Sequence, residues 1–310
     1  MKKIIGLFFM IAISAGTHFS LAQMMLKLPY DHITDEPIGI DLTLKTAKLQ
    51  NGIELQYAEQ GLFTGIPVIF LHGLSDSWHS FESVLPLLPS TIHAFAISQR
   101  GHGDSDRPIT GYTPKDFVGD IAEFMKMQDL KSAYIVGHSM GGLVAQQFAL
   151  DYPQLTKGLV LISTDAAFKD NPGLPEFYNE VLKLNDPIAR NFMDEFQKAT
   201  LGKPIDPNFY NLLVNESTKV PARVFKESFT GVMEADYTAQ LKNITAPVLI
   251  FWGTQDSFCS QADQEQFMKE LKNAMLFVYE RTGHALHWEK PARFVKDLVA
   301  FVTGASGLKM

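Results

Sequence analysis

The stretch "IVGHSMGG", residues 135–142, places one serine among glycines. It sits between an apolar, β-branched run, "SAYIVG", and a segment with apolar residues at helical spacing, "LVAQQFALDYP". A small polar residue at such a strand-to-helix junction has three readings: a phosphate-cradling loop, a tight turn, or an exposed nucleophile. The phosphate readings fail on composition. A nucleotide loop of the Gly-x-x-x-x-Gly-Lys-Ser/Thr kind needs a lysine, and none follows Gly141 or Gly142. The dinucleotide pattern Gly-x-Gly-x-x-Gly is approached only by "GHGDSD" from Gly101, where Asp106 stands in place of the third glycine. A Gly-x-Ser-x-Gly sharp turn that pushes a serine hydroxyl out at the end of a strand remains.

The surrounding pattern fits a parallel sheet. "IDLTLKTAKL" and "IELQYAEQG" alternate apolar and polar residues, as half-exposed antiparallel strands do. Short, nearly continuous apolar runs follow: "IPVIFLHG", "IHAFAIS", "AYIVGHS", "LVLIST", "PVLIFWG" and "AMLFVYE". Such runs suit strands buried on both faces. Helical patterns such as "PKDFVGDIAEFMKMQ" and "ARFVKDLVAFVT" lie between and after them. The alternation predicts an α/β fold, a doubly wound, mostly parallel sheet with an antiparallel start. One interval departs from it. Between "LVLIST" and "PVLIFWG" no strand-like run occurs, and Phe177, Val181, Leu184, Phe192, Phe196, Val224, Phe225 and Phe229 recur at helical spacing. Residues 166–240 are therefore expected to form a helical cap inserted into a core made of 23–165 and 241–310.

The first residues do not belong to that core. Lys2 and Lys3, an apolar run from Ile4 to Ala15, and the small residues Ser20 and Ala22 predict a signal peptide over 1–22, cleaved near Ala22. The chain is then expected to be exported, periplasmic or secreted, and to touch a membrane only if the leader stays on. A formal charge of −7, with no clustered Lys or Arg, argues against nucleic-acid binding. The one cysteine, Cys259, cannot form an internal disulfide and reads as a small buried hydrophobe. The sequons at Asn215 and Asn243 are taken as chance matches.

A serine at its ordinary pKa needs a base, and the base needs an orienting acid. "FWGTQDSF" leaves a strand and presents Asp256; "ERTGHALHWEKP" leaves the last strand and presents His284. The expected catalytic residues are thus Ser139, Asp256 and His284, with Asp165 a rival acid and His287 a rival base. "FLHGLSDSWHSF" supplies His72-Gly73-Leu74 after a strand. The backbone amides of Leu74 and Met140 are the expected oxyanion donors. His72, His79 and His102 lack the helical spacing of a zinc motif, so no metal and no cofactor is expected.

Together, "HG" after the third strand, "SQRGHGDSDRP", "GHSMGG", "PVLIFWGTQDSF" and "GHALHWEKP" make the chain from about residue 40 to 304 resemble the α/β-hydrolase superfamily. The resemblance implies an eight-stranded, mostly parallel sheet with helices on both faces and a helical cap after the sixth strand. It also implies hydrolysis of an ester or of a related acyl or carbon–carbon bond, by a carboxylesterase or lactonase type of serine hydrolase. Dehalogenases and epoxide hydrolases of similar layout use aspartate where this chain has Ser139. Meta-cleavage carbon–carbon hydrolases carry asparagine where it has His138. Acyl transfer, perhydrolysis, or ligand reception with vestigial turnover are the other chemistries this layout can host. Arg100, Asp104 and Ser105 are expected to fix a loop. Phe177, Phe192, Phe196 and Phe225 are expected to line an apolar pocket for a small-molecule ester.

Overall fold

The computed structural model describes residues 42–304; the leader reading concerns residues outside that range. Eight strands form a single sheet: β1 (Thr43–Lys48), β2 (Glu54–Gln60), β3 (Ile66–Leu71), β4 (Ile92–Ile97), β5 (Ala133–His138), β6 (Thr156–Ile162), β7 (Val248–Gly253) and β8 (Ala274–Tyr279). Their order is β1-β2-β4-β3-β5-β6-β7-β8. β2 runs antiparallel to both β1 and β4, and every other pairing is parallel.

Alternation along each buried strand divides the core in two. Ile69 and Leu71 of β3 face one apolar cluster with Phe95, Ile97 and Ile135, whereas Val68 and Phe70 face another with Ala94, Ala96 and Val136. The first face is covered by α1 (Pro114–Met127) and α2 (Met140–Asp151), which contribute Phe124 and Phe148. The second is covered from the chain's end, where Phe294, Leu298 and Phe301 pack against Phe251 and Tyr134. α1 begins where the sequence encodes a stop for extended chain. Thr113 caps it, its hydroxyl accepting the Asp116 amide while the Asp116 carboxylate accepts the Thr113 amide, and Pro114 occupies the first turn. α2 is apolar around most of its circumference and is buried along nearly its whole length, as a helix wedged between sheet and neighbours must be.

Between β6 and β7 the chain forms four α-helices: α3 (Leu174–Val181), α4 (Arg190–Ala199), α5 (Pro207–Thr218) and α6 (Ala222–Glu234). Their inner faces form an aromatic stack. Phe177 lies parallel to Phe192 at 6.0 Å and to Phe196 at 5.8 Å, and meets Phe229 edge-on at 5.4 Å. Phe225 meets Phe192 and Phe196 edge-on. Polar joints seat this cap on the core: Lys219 pairs with Asp104 at 2.9 Å, and Arg223 donates to the carbonyls of Pro108 and Ile109 at 2.6 and 2.8 Å. After β7 come α7 (Gln261–Glu270), the short α8 (Leu286–Glu289) and α9 (Pro291–Thr303). No described helix is long and apolar enough to cross a membrane.

Candidate active site

Ser139 stands between β5 and α2 with φ 53° and ψ −118°, a backbone conformation that L-residues seldom adopt. Its neighbours explain why the chain tolerates the strain. A Cβ added to Gly137 would lie 2.2 Å from the Gly141 carbonyl oxygen, and one added to Gly141 would lie 2.3 Å from that of Leu71. Only glycine lets strand and helix approach so closely. Two bonds then hold the turn: the Ser139 amide donates to the Ile162 carbonyl at 3.0 Å, and Thr164 Oγ1 donates to the Ser139 carbonyl at 2.9 Å.

His284 and Asp256 come from the loops after β8 and β7. The two carboxylate oxygens lie 2.9 and 3.0 Å from His284 Nδ1. A carboxylate accepts, so Nδ1 carries the proton, and in the neutral ring Nε2 presents a lone pair. Asp256 is fixed in turn by the amides of Phe258 and Cys259, at 2.8 and 3.0 Å. Asp165 Oδ1 instead accepts the amides of Ala166 and Ala167, closing its own loop. His287 is buried beneath the site, with Nε2 3.3 Å from Ser80 Oγ and its ring stacked on Phe81. Burial holds its pKa well below the usual imidazole value.

Leu74 and Met140 border the same cavity as Ser139 and His284. Met140 is the first residue of α2, so its amide has no intrahelical acceptor, and the positive end of the helix dipole lies there. Burial holds His72 down to about 4, which keeps the ring neutral. Its Nε2 accepts the Gln99 amide at 2.9 Å, and its Nδ1 donates to the Gly73 carbonyl, bracing the Gly73–Leu74 loop.

The cavity has a volume of about 30 Å³. Of the four phenylalanines expected to line it, Phe196 does so. Phe177, Phe192 and Phe225 are not among its walls; they form the cap's stacked interior behind Phe196. Helical spacing identifies an inward face but not which inward residue meets the core and which meets another helix. Phe168, Leu174, Phe229, Val232 and Phe258 complete the apolar wall. The sequence reading did not single out Asp76, Gln197 or Thr200, which supply polar atoms to the same cavity. Arg100 pairs with Asp120, its Nε 2.6 Å from the carboxylate, while Ser105 Oγ donates to the Ser98 carbonyl. Both hold the loop after β4.

Asp256, Cys259 and His284 also bring three potential ligand atoms within 4.8 Å of one another. Burial, with Asp256 adding to it, pushes the Cys259 thiol well above its ordinary pKa, so the sulfur stays protonated. The carboxylate and the imidazole are already committed to each other. This is the donor set of an acid–base pair rather than of a metal centre.

The sequence pattern of the alpha/beta hydrolase fold matches residues 66–291, and the chain belongs to that family. Hydrolase is the coarse class that this membership supports. The chain is 29% identical over 278 residues to the non-heme chloroperoxidase of Streptomyces lividans, covering 83% of this chain and 99% of that protein. It is 23% identical over 275 residues to lipase 3 of a Moraxella species, covering 85% and 86% of the two chains. Among solved structures, an esterase from Exiguobacterium antarcticum superposes with a TM-score of 0.75 at 22% identity, over 83% of this chain and 98% of that one. At that identity the likeness concerns the fold.

Proposed function

We propose that the protein is a serine hydrolase of the carboxylesterase or lactonase type, which cleaves small to medium, mainly apolar, neutral esters through an acyl-enzyme. The observation that carries this reading is His284, bordering one cavity with the strained Ser139 and held from behind by Asp256 at 2.9 Å. In the proposed cycle, His284 Nε2 takes the Ser139 proton as Oγ attacks the ester carbonyl. The oxygen of the tetrahedral adduct is held by the amides of Leu74 and Met140. The adduct collapses as His284 returns the proton to the leaving alkoxide, which departs as the alcohol. Water, deprotonated by the same imidazole, then releases the carboxylic acid and restores Ser139. Asp256 keeps the ring oriented and stabilises the imidazolium between steps.

The apolar cap wall, and the absence of Lys and Arg from the cavity lining among the described residues, support neutral substrates over anionic ones. A cavity of about 30 Å³ favours short acyl chains over triglycerides. A volume of that order holds little more than water, so the cavity is expected to widen as a substrate enters. From the leader expected over 1–22 we propose that this activity lies outside the cytoplasm; the amino-terminal sequence of the mature protein tests that proposal. The hydrolase reading is tested by labelling with a fluorophosphonate and by turnover of p-nitrophenyl acetate and butyrate. Both are expected in the wild type and neither in Ser139→Ala. Undiminished turnover by Ser139→Ala would sink the reading.

A further inference from the structure

Beside its phenylalanines the cavity is lined by hydrogen-bond acceptors with too few donors to serve them. Asp76, Gln197 and His138 all border the cavity, and all three are at least 97% buried. Asp76 Oδ1 accepts from Gln197 Nε2 at 2.8 Å, which ties cap helix α4 to the loop after β3. Its Oδ2 has only a 3.4 Å contact from Ser80 Oγ. Gln197 Nε2 also donates to Ser217 Oγ at 2.7 Å, so both amide hydrogens have acceptors, while Gln197 Oε1 is buried without a partner. His138 Nε2 lies 3.2 Å from the His284 carbonyl. A carbonyl only accepts, so Nε2 carries the hydrogen and Nδ1 of the neutral ring is a lone-pair acceptor. That Nδ1 has no partner and faces Asp76 Oδ2 at 3.8 Å.

The geometry aims two of these acceptors at one spot. A carbon built on Gly73 would lie 2.9 Å from His138 Nδ1 and 3.2 Å from Asp76 Oδ2. Both acceptors therefore look onto the bare face of Gly73, on the loop that carries the proposed oxyanion donor Leu74. Buried acceptors left unserved are costly, and a ligand that supplies the missing hydrogen removes that cost. Ser75 has φ 64°, so the Gly73–Asp76 loop holds this shape against local preference.

We propose that Asp76, with His138 Nδ1 and Gln197 Oε1, forms a subsite for a hydrogen-bond donor on the substrate, a hydroxyl or an amine N–H close to the scissile carbonyl. The proposal deepens the serine-hydrolase reading and rests on it for the location of that carbonyl. The preferred substrate is then an ester with one polar donor near its reacting end and an apolar remainder under the cap. A ketone or carboxylate at the same position presents another acceptor and is rejected.

The test compares methyl esters of 2- and 3-hydroxybutanoate and of the corresponding amino acids with analogues in which a methyl group replaces the donor. The 3-oxo ester completes the set. The wild type is expected to favour a donor-bearing ester over its methyl isostere by about tenfold or more in kcat/KM. The 3-oxo ester should fall at or below the isostere. Hydroxyl and amine arms tell the two donor sources apart. Asp76→Asn keeps an acceptor for Gln197 and turns a donor toward His138 Nδ1; it is expected to bring the ratio below about threefold. A second readout is independent of turnover. In Ser139→Ala, 3-hydroxybutanamide should raise the melting temperature more than 3-methylbutanamide does, and adding Asp76→Asn should abolish the difference. Equal handling of donor and isostere in both assays, or a preference that Asp76→Asn leaves intact, would overturn the subsite. Absence of turnover and of fluorophosphonate labelling, with the amide difference present, would instead overturn the hydrolase reading and leave the subsite standing.

Discussion

The turn at Ser139 and the cap above it are built from opposite materials. At the turn, backbone meets backbone: hypothetical Cβ atoms on Gly137 and Gly141 fall within 2.3 Å of carbonyl oxygens. In the cap, ring meets ring at 5.4–6.0 Å, so the contacts are made by side chains rather than by main chain. The contrast implies a division of labour: the core fixes where the reacting atoms sit, and the cap sets what reaches them. It also implies that substitutions on the two sides should fail differently, on the core side through chemistry or folding and on the cap side through selectivity.

The largest effects belong to the proposed reacting groups. Ser139→Ala or His284→Ala is expected to lower kcat by about 10⁴-fold or more, and Asp256→Asn by about 10³–10⁴-fold, because the amide it introduces no longer fixes the Nδ1–H tautomer. Melting temperatures should stay near that of the wild type for Ser139→Ala. Steady-state kinetics with p-nitrophenyl butyrate checks the kcat losses, and thermal denaturation checks the melting temperature. A loss below tenfold for His284→Ala would remove it as the base. Next comes the turn itself. Gly141→Ala must push its new methyl against the carbonyls of Leu71 and His72, 2.3 and 2.7 Å from the added carbon. The expected cost is about 3 kcal/mol or more, since strand and helix cannot both stay in place. Chemical denaturation measures it; a change under about 1 kcal/mol would show that the turn yields more readily than its geometry implies.

The same contrast governs what the sequence reveals. "GHSMGG" between a β-branched run and an apolar helix is legible because strand, tight turn and helix each demand local residue types. Asp256 and His284 are legible as polar residues just past apolar strands. The alternation of runs likewise foretells the eight-stranded sheet and the interruption between β6 and β7. Asp76 and Gln197 are illegible for the opposite reason. They lie 121 residues apart, on a core loop and a cap helix, and neither carries a motif. Phe192 and Phe196 share one helix and one periodicity, yet the first is packed into the cap and the second borders the cavity. Only the docking of one helix on another decides that.

A buried part of the core should also respond to acid. Burial lowers His72 to about 4 and His102 to about 3, and their rings approach to 5.0 Å beside the Gly73 and Arg100 loops. In the unfolded chain both titrate near 6.5. Between pH 6.5 and 4 the unfolded state therefore binds more protons, and stability falls as pH falls through that window. Once the pH is below the folded value, the loss is on the order of 3 kcal/mol for His72 and on the order of 5 kcal/mol for His102. His102→Phe should reduce the slope of unfolding free energy against pH by about 1.4 kcal/mol per unit near pH 5. Urea denaturation at pH 7, 6 and 5 reads the slope, and an unchanged slope would show that His102 is accessible to protons in the native state.

The smallest expected effect is the one that best separates the two regions. Phe196 is half-buried, borders the cavity, lies parallel to Phe177 at 5.8 Å and meets Phe258 at 6.2 Å. Phe192 is buried on the same helix, makes similar ring contacts with Phe177 and Phe225, and does not border the cavity. Exchanging either ring for leucine removes aromatic contacts at a cost of about 1 kcal/mol. Each should lower the melting temperature by about 2–4 °C in a chain of this size. Only Phe196→Leu frees space where an acyl chain would lie, so it should raise kcat/KM for hexanoate relative to acetate by about threefold to tenfold. Phe192→Leu should leave that ratio within about twofold of the wild type, because the void it creates is walled off from the substrate by Phe196. Equal shifts in both variants would mean that the stacked rings transmit a change as a block. The cap would then resemble the turn beneath it more than the ring contacts imply.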